Sequence, residues 1–146
     1  MKNSFFALTL VLFAAFGASA QKAEVFAPGG KAIKGYDPVA FFKQSKPVMG
    51  ADSLSYTYKD VQWLFSTRED MDAFKENPEH FAPQYGGFCA FGTSAGRKFP
   101  TEVETWSIVN DKLYFNYNMK VKKDWTKDQQ ALIEKADKQW PELKGK

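Results

Sequence analysis

The chain has 146 residues, of which 44% are hydrophobic and 25% charged, the balance of one ordinary globular domain. Its net charge of +3, from 20 basic and 17 acidic residues, is too even to indicate a nucleic-acid-binding face. A single cysteine excludes a disulfide scaffold and a zinc site built from several cysteines, and a single histidine excludes a histidine-rich metal cage.

Residues 1–20 have the pattern of a secretory signal peptide. Lys2 supplies the positive charge near the N-terminus, and residues 5–17 form an apolar run. The Ala-Ser-Ala of residues 18–20 matches a signal-peptidase cleavage site. The alternative is an uncleaved membrane anchor, but the run is shorter than the ~20 residues that span a bilayer. The pattern therefore predicts a periplasmic or secreted protein with no stable membrane insertion after cleavage, folded in an oxidising compartment.

An extended lead-in is predicted over residues 21–35, followed by one domain over residues 36–146. A helix is predicted to begin at Asp37 and Pro38, because aspartate suits the N-cap and proline suits the first helical position. Apolar and polar residues alternate over residues 54–66, and this period of two predicts a β-hairpin. Residues 105–117 predict a second hairpin by the same pattern.

Helices are predicted between and after the two hairpins. Ser66 or Thr67 caps the helix that follows the first hairpin. After the second hairpin, Asn118 caps a short helix, and Thr126 caps a last helix that Pro141 ends. The predicted fold class is α+β: a small antiparallel sheet, built from the two hairpins, packed against several short helices.

The segment 77–100 contains the side chains best suited to bind a metal or act as a nucleophile. They are the only histidine, His80, and the only cysteine, Cys89. Gly86 and Gly87 predict a structural turn just before this cysteine, because glycine adopts backbone conformations that other residues avoid. A helix over residues 88–93 would hold Cys89 in its first turn. The helix dipole there stabilises a thiolate, the form that binds metals and attacks electrophiles.

Six short motifs lie in order along residues 35–141. They are GYDPVAFF at 35–42, WLFS at 63–66, FKENP at 74–78, YGGFCA at 85–90, LYFNY at 113–117 and WP at 140–141. In order and spacing they resemble secreted bacterial YHS-domain proteins. The resemblance implies a small metal-associated module over residues 36–146, with the family's cysteine at Cys89. The histidine that often precedes this cysteine in the family is replaced here by Phe88.

The leading hypothesis is a non-enzymatic, metal-associated binding module with a soft metal, copper preferred, at the Cys89 thiolate. Thiolate and thioether ligands select Cu(I). One thiolate does not complete a coordination shell, so the second ligand must come from His80, a methionine such as Met49, a small molecule, or another copy of the chain in a homodimer. The competing interpretation of Cys89 is a buried, inert thiol that packs as a small hydrophobe.

The alternative function is a metal-free binding or interaction domain, whose aromatic pocket holds a small apolar ligand or a partner segment. The aromatic residues that could line such a pocket, or instead fill the core, are Tyr56, Tyr58, Trp63, Tyr85, Phe88, Phe91, Trp106 and Tyr114. Catalysis by a cysteine–histidine pair is less favoured, because no third group that would orient the pair is evident. No catalytic residue is assigned.

Overall fold

The computed structural model describes residues 23–146, so the predicted signal peptide lies outside the described residues. The described chain forms an α+β fold, which confirms the predicted class. Its helices are α1 (Pro38–Lys43), α2 (Arg68–Glu76), α3 (Pro78–Phe81), α4 (Ala90–Ser94), α5 (Met119–Lys127) and α6 (Gln129–Leu143). Its strands are β1 (Ala51–Tyr58), β2 (Val61–Phe65), β3 (Glu102–Val109) and β4 (Lys112–Asn116). Short 3₁₀ turns cover Pro28–Gly30, Ala32–Gly35 and Gln84–Gly87.

Both predicted hairpins form, each closed by a two-residue turn. Lys59 and Asp60 join β1 to β2 with φ of +51° and +61°, and Asn110 and Asp111 join β3 to β4 with the same two angles. A turn of two consecutive residues with positive φ matches the twist of the strands that it connects. Over residues 23–146 the hairpins are two separate two-stranded sheets rather than one continuous sheet.

The two hairpins meet through side chains instead of backbone pairing. Phe65 of β2 and Phe115 of β4 belong to one buried cluster, together with Phe41 of α1 and Phe74 of α2. The Phe41 and Phe115 rings meet edge to face, with centroids 5.4 Å apart. A second buried cluster contains Tyr85, Ala90, Tyr114, Trp125, Ile133 and Ala136, and α6 packs mainly against α4. Burial of these large apolar residues stabilises the arrangement.

Residues 23–35 differ from the predicted extended lead-in. Val25, Ala32 and Ile33 are buried, and they belong to the cluster around Phe74. The Phe26 amide donates a hydrogen bond of 2.9 Å to Gly86 O. This stretch is therefore part of the domain, because its apolar side chains gain more by joining the core than by remaining in solvent.

The ends of the last two helices also differ from the prediction. Thr126 lies inside α5 and donates its hydroxyl hydrogen to Lys122 O, so it caps no helix. The residue before α6 is Asp128, and α6 runs past Pro141 to Leu143. Helix α5 continues through Thr126 to Lys127, and Trp125, which was expected in this helix, is completely buried. In the part of the chain from residue 23 onward, no helix is both long and apolar enough to cross a bilayer.

Candidate functional site

A tight turn leads the chain into Cys89. Gly86 and Gly87 have φ of +62° and +84°, in the left-handed region that favours glycine. A Cβ on Gly86 would lie 1.9 Å from Glu24 O, so this position also needs the smallest residue. The turn lets the Cys89 amide donate a 3.0 Å hydrogen bond to Phe99 O.

Cys89 is the N-cap of α4, one residue before the first helical turn in which it was predicted. Its Sγ accepts a hydrogen bond from the Gly92 amide at 3.4 Å, as an N-cap side chain does. The Cys89 thiol in turn donates to Asn116 Oδ1 at 3.6 Å. Only 1% of Cys89 is exposed, and its sulfur makes both of these hydrogen bonds inside the protein.

The electrostatics of Cys89 favour the neutral thiol. Burial raises the pKa of Cys89, because ionisation would place a charge in an apolar environment. The backbone amides of Gly92, Tyr117 and Phe91 lower the pKa, but burial is the larger effect. The backbone amides at the start of the helix therefore favour the thiolate, as predicted, but the effect of burial on the pKa of Cys89 is larger.

Asn116 is a site residue that the sequence analysis did not identify. It is fully buried at the end of β4, and its Oδ1 also accepts the Phe91 amide hydrogen at 3.2 Å. The backbone amide of Asn116 donates a hydrogen bond to Thr105 Oγ1 at 2.8 Å. Within residues 23–146, the Asn116 Nδ2 has no hydrogen-bond partner. The sequence signal was a polar residue that ends an otherwise apolar strand, Leu113 to Phe115.

A cavity of about 410 Å³ lies beside the cysteine, and we call it the Cys89 cavity. It is lined by Cys89, Phe91, Gly92, Phe99, Tyr117 and Val121. None of these side chains carries a charge at neutral pH. Phe99 is 40% exposed and Tyr117 is 47% exposed, and their ring centroids are 6.4 Å apart. The cavity thus combines a buried thiol with two aromatic rings that remain half in solvent.

The structure places the other two predicted ligands away from this cavity. The His80 ring packs against Phe42, with centroids 5.1 Å apart, and its Nδ1 lies 3.6 Å from Asp111 Oδ2. Met49 is 57% exposed and forms an isolated antiparallel bridge with Tyr36. Neither residue lines the Cys89 cavity.

Of the three residues predicted as metal ligands, only Cys89 lines this cavity. Across residues 23–146, no group of three or more histidine, cysteine, aspartate or glutamate side chains is placed to hold a metal ion. The hydrogen-bond partners of the sulfur are the side-chain oxygen of Asn116 and the backbone amide of Gly92, which are poor ligands for a soft metal.

Comparison of the chain with protein-family models, with curated proteins and with solved structures finds no match. The fold and the site define an α+β domain with an apolar, partly aromatic cavity beside a buried thiol.

Proposed function

We propose that this protein is a non-enzymatic binding module, which holds a small apolar molecule in the Cys89 cavity. The observation that carries the proposal is the pair of half-exposed rings, Phe99 and Tyr117, at a cavity of about 410 Å³. Leaving large aromatic surfaces in water costs free energy, and a bound apolar molecule would recover it. Small-molecule sites are commonly concave and apolar, with volumes of roughly 300–1,000 Å³.

The lining indicates the class of ligand. Aromatic rings, a thiol and the Val121 side chain surround the space, and no charged group is among them. A charged ligand would lose its hydration here and gain no ionic partner. A neutral molecule with one or two rings fits the cavity best, because its faces and edges can pack against Phe91, Phe99 and Tyr117.

Binding is favoured over catalysis by the state of the thiol. Burial raises the pKa of Cys89, and the thiol donates to Asn116, so the nucleophilic thiolate is disfavoured. His80, the only histidine in the chain, lies beside Asp111 and does not line the Cys89 cavity, so it is not placed to activate the sulfur. The arrangement suits a thiol that packs and hydrogen-bonds.

The test uses phenylnaphthylamine, a neutral fluorophore that brightens in apolar surroundings. Saturable binding to the wild-type protein is expected, with affinity at least about tenfold weaker in Phe99→Ser, because the loss of one aromatic contact surface costs ~1.4 kcal/mol or more. Met49→Ser is the matched control, since Met49 is a similarly exposed apolar residue outside the cavity. The absence of saturable binding, or equal weakening in both variants, would contradict the proposal.

A second candidate function is Cu(I) binding through Cys89, as the resemblance to YHS-domain proteins implies. It is supported by the three amides, of Gly92, Tyr117 and Phe91, that favour a negative sulfur once a metal displaces the proton. Its second donor would be a small molecule in the cavity or a second copy of the chain. In competition with a chromophoric Cu(I) chelator, Cys89→Ser should lose the copper that wild type and His80→Ala retain. Equal uptake by all three proteins would remove this candidate.

A further inference from the structure

A second cavity, of about 380 Å³, lies on another part of the molecule, and we call it the Tyr85 cavity. The wall residues that matter here are Tyr58, Glu79, Tyr85, Lys112, Asp137 and Trp140. They come from the first hairpin, α3, the turn before Cys89, the start of β4 and α6. The cavity shares no lining residue with the Cys89 cavity.

Tyr85 is held firmly in the wall of this cavity. Its φ is +57°, a left-handed conformation that is unfavourable for a bulky side chain. The packing compensates, because the phenol donates to Asp137 Oδ1 at 2.8 Å and the ring meets Trp140 edge to face at 6.0 Å. Backbone conformations of this kind persist where the surroundings enforce them, and they cluster at functional sites.

Among the lining residues, carboxylates outnumber ammonium groups by one, and the ammonium of Lys98, which is not a lining residue, lies over the Trp140 ring. Glu24 and Lys59 both line the cavity, and their side chains pair with each other at 2.8 Å. The remaining charged wall residues are two carboxylates, Glu79 and Asp137, and one ammonium, Lys112. Asp137 is exposed, and its Oδ1 accepts a hydrogen bond from the Tyr85 phenol at 2.8 Å.

Aromatic rings of this wall already attract ammonium groups of the protein. Lys59 Nζ lies 5.7 Å from the centroid of the Tyr58 ring, and Lys98 Nζ lies 5.6 Å from the centroid of the Trp140 ring. The negative face of an aromatic ring stabilises a cation within about 6 Å, most strongly for tryptophan. Rings and carboxylates around one space are the combination that recognises an organic cation.

We infer that the Tyr85 cavity is a second binding site, and that it takes a small organic cation of the alkylammonium class. Tyr85 and Trp140 would contact the alkyl groups that carry the positive charge, and Asp137 and Glu79 would balance it. This inference is independent of the ligand in the Cys89 cavity, because the two sites are lined by different residues.

The experiment is a titration with tetramethylammonium chloride, with sodium chloride as the ionic-strength control, followed through the NMR signal of the Trp140 indole N–H. A saturable shift is expected for the wild type, and an affinity at least about fivefold weaker for Glu79→Gln and for Asp137→Asn. Asp128→Asn removes an exposed carboxylate outside the wall and should change nothing. Tyr85→Phe removes the phenol but keeps the ring, so it should still bind.

Two results would overturn the inference. One is a shift that stays linear in salt concentration or is equally strong in the Glu79→Gln, Asp137→Asn and Asp128→Asn variants. The other is saturable binding of sodium acetate in place of tetramethylammonium, because the site would then be organised around Lys112. The tryptophan signals of each variant without ligand show whether it is folded, and Glu79→Gln keeps the test valid if the loss of the Tyr85–Asp137 bond unfolds Asp137→Asn.

Discussion

Asp37 and Ser66 are joined by two hydrogen bonds, although 29 residues separate them in sequence. Asp37 Oδ2 accepts the Ser66 amide at 2.8 Å and the Ser66 hydroxyl at 2.6 Å. Asp37 Oδ1 accepts the amides of Val39 and Ala40 at 2.9 and 3.3 Å, and so caps α1. One fully buried carboxylate therefore fixes the start of the first helix against the end of the first hairpin.

Replacing Asp37 with alanine should destabilise the protein by about 3 kcal/mol, because it removes a helix cap and leaves buried donors without an acceptor. The measurement is urea unfolding followed by tryptophan fluorescence. Thr67→Ala is the comparison, since Thr67 caps α2 with a single bond to the Asp70 amide and should cost only about 1 kcal/mol. Equal losses in the two variants would show that the link between Asp37 and Ser66 contributes nothing.

Asp70 is a buried carboxyl group whose Oδ2 has no hydrogen-bond partner within residues 23–146. Its Oδ1 lies 3.9 Å from Lys43 Nζ. The pKa of Asp70 is raised from 3.8 to about 6. Burial is the largest cause of this increase, and the neighbouring carboxyl group of Asp37 is the second. The native protein thus holds a proton on Asp70 under conditions in which the unfolded chain has lost it.

The direction in which stability changes with pH follows from this difference in the pKa of Asp70 between the native and unfolded states. As pH rises from about 4 to about 6, the unfolded chain releases the Asp70 proton first, so the native state loses stability. Asp70→Asn should therefore be more stable than wild type by about 1–2 kcal/mol near neutral pH, and the gain should fade toward pH ~4. Urea unfolding across this range measures it, with the exposed Asp72→Asn as control. A gain that is the same at every pH would disprove the assignment.

The parts of the fold that were predicted correctly depend on local chemistry. Asp37, Thr67 and Asn118 each accept an amide hydrogen within the next few residues, so a short window of sequence is enough to identify them as caps. The hairpins were predictable for the same reason, because strand alternation and the turn lie in one stretch of chain. The order of helices and hairpins follows from these signals.

The site could not be predicted in the same way, because its determinants are distant in sequence. Cys89 and Asn116 are 27 residues apart, and burial of the thiol, which decides its pKa, comes from several elements. The expectation of thiolate stabilisation considered only the local helix end. The error in residues 23–35 has the same origin, since packing of Ile33 into the core overrides local signals.

The reactivity of Cys89 should separate a packed thiol from an exposed nucleophile. Because burial raises its pKa and only 1% of the residue is exposed, the native protein should react with Ellman's reagent at least ~100-fold more slowly than the urea-unfolded chain. Saturating phenylnaphthylamine should slow the native reaction further, by blocking the cavity. Native and unfolded rates within a few-fold of each other would mean that the sulfur is reachable and that its burial does not control its chemistry.

The close approach of Phe99 to Gly92 leads to a steric prediction for the Cys89 cavity. A Cβ on Gly92 would lie 2.5 Å from the Phe99 Cδ2 and 3.2 Å from Arg97 O. In Gly92→Ala the Phe99 ring must therefore move, and because that ring lines the cavity, the cavity must change shape. We expect phenylnaphthylamine to bind several-fold more weakly, with a loss of stability of about 1 kcal/mol.

The control for this prediction is Gly145→Ala, because a Cβ at Gly145 meets nothing within 4 Å. That variant should keep the stability and the probe affinity of the wild type. If Gly92→Ala loses stability but binds phenylnaphthylamine as tightly as wild type does, the probe is not held against Phe99. The ligand would then have to be sought outside the Cys89 cavity, and the exposure of Phe99 and Tyr117 would need a different explanation.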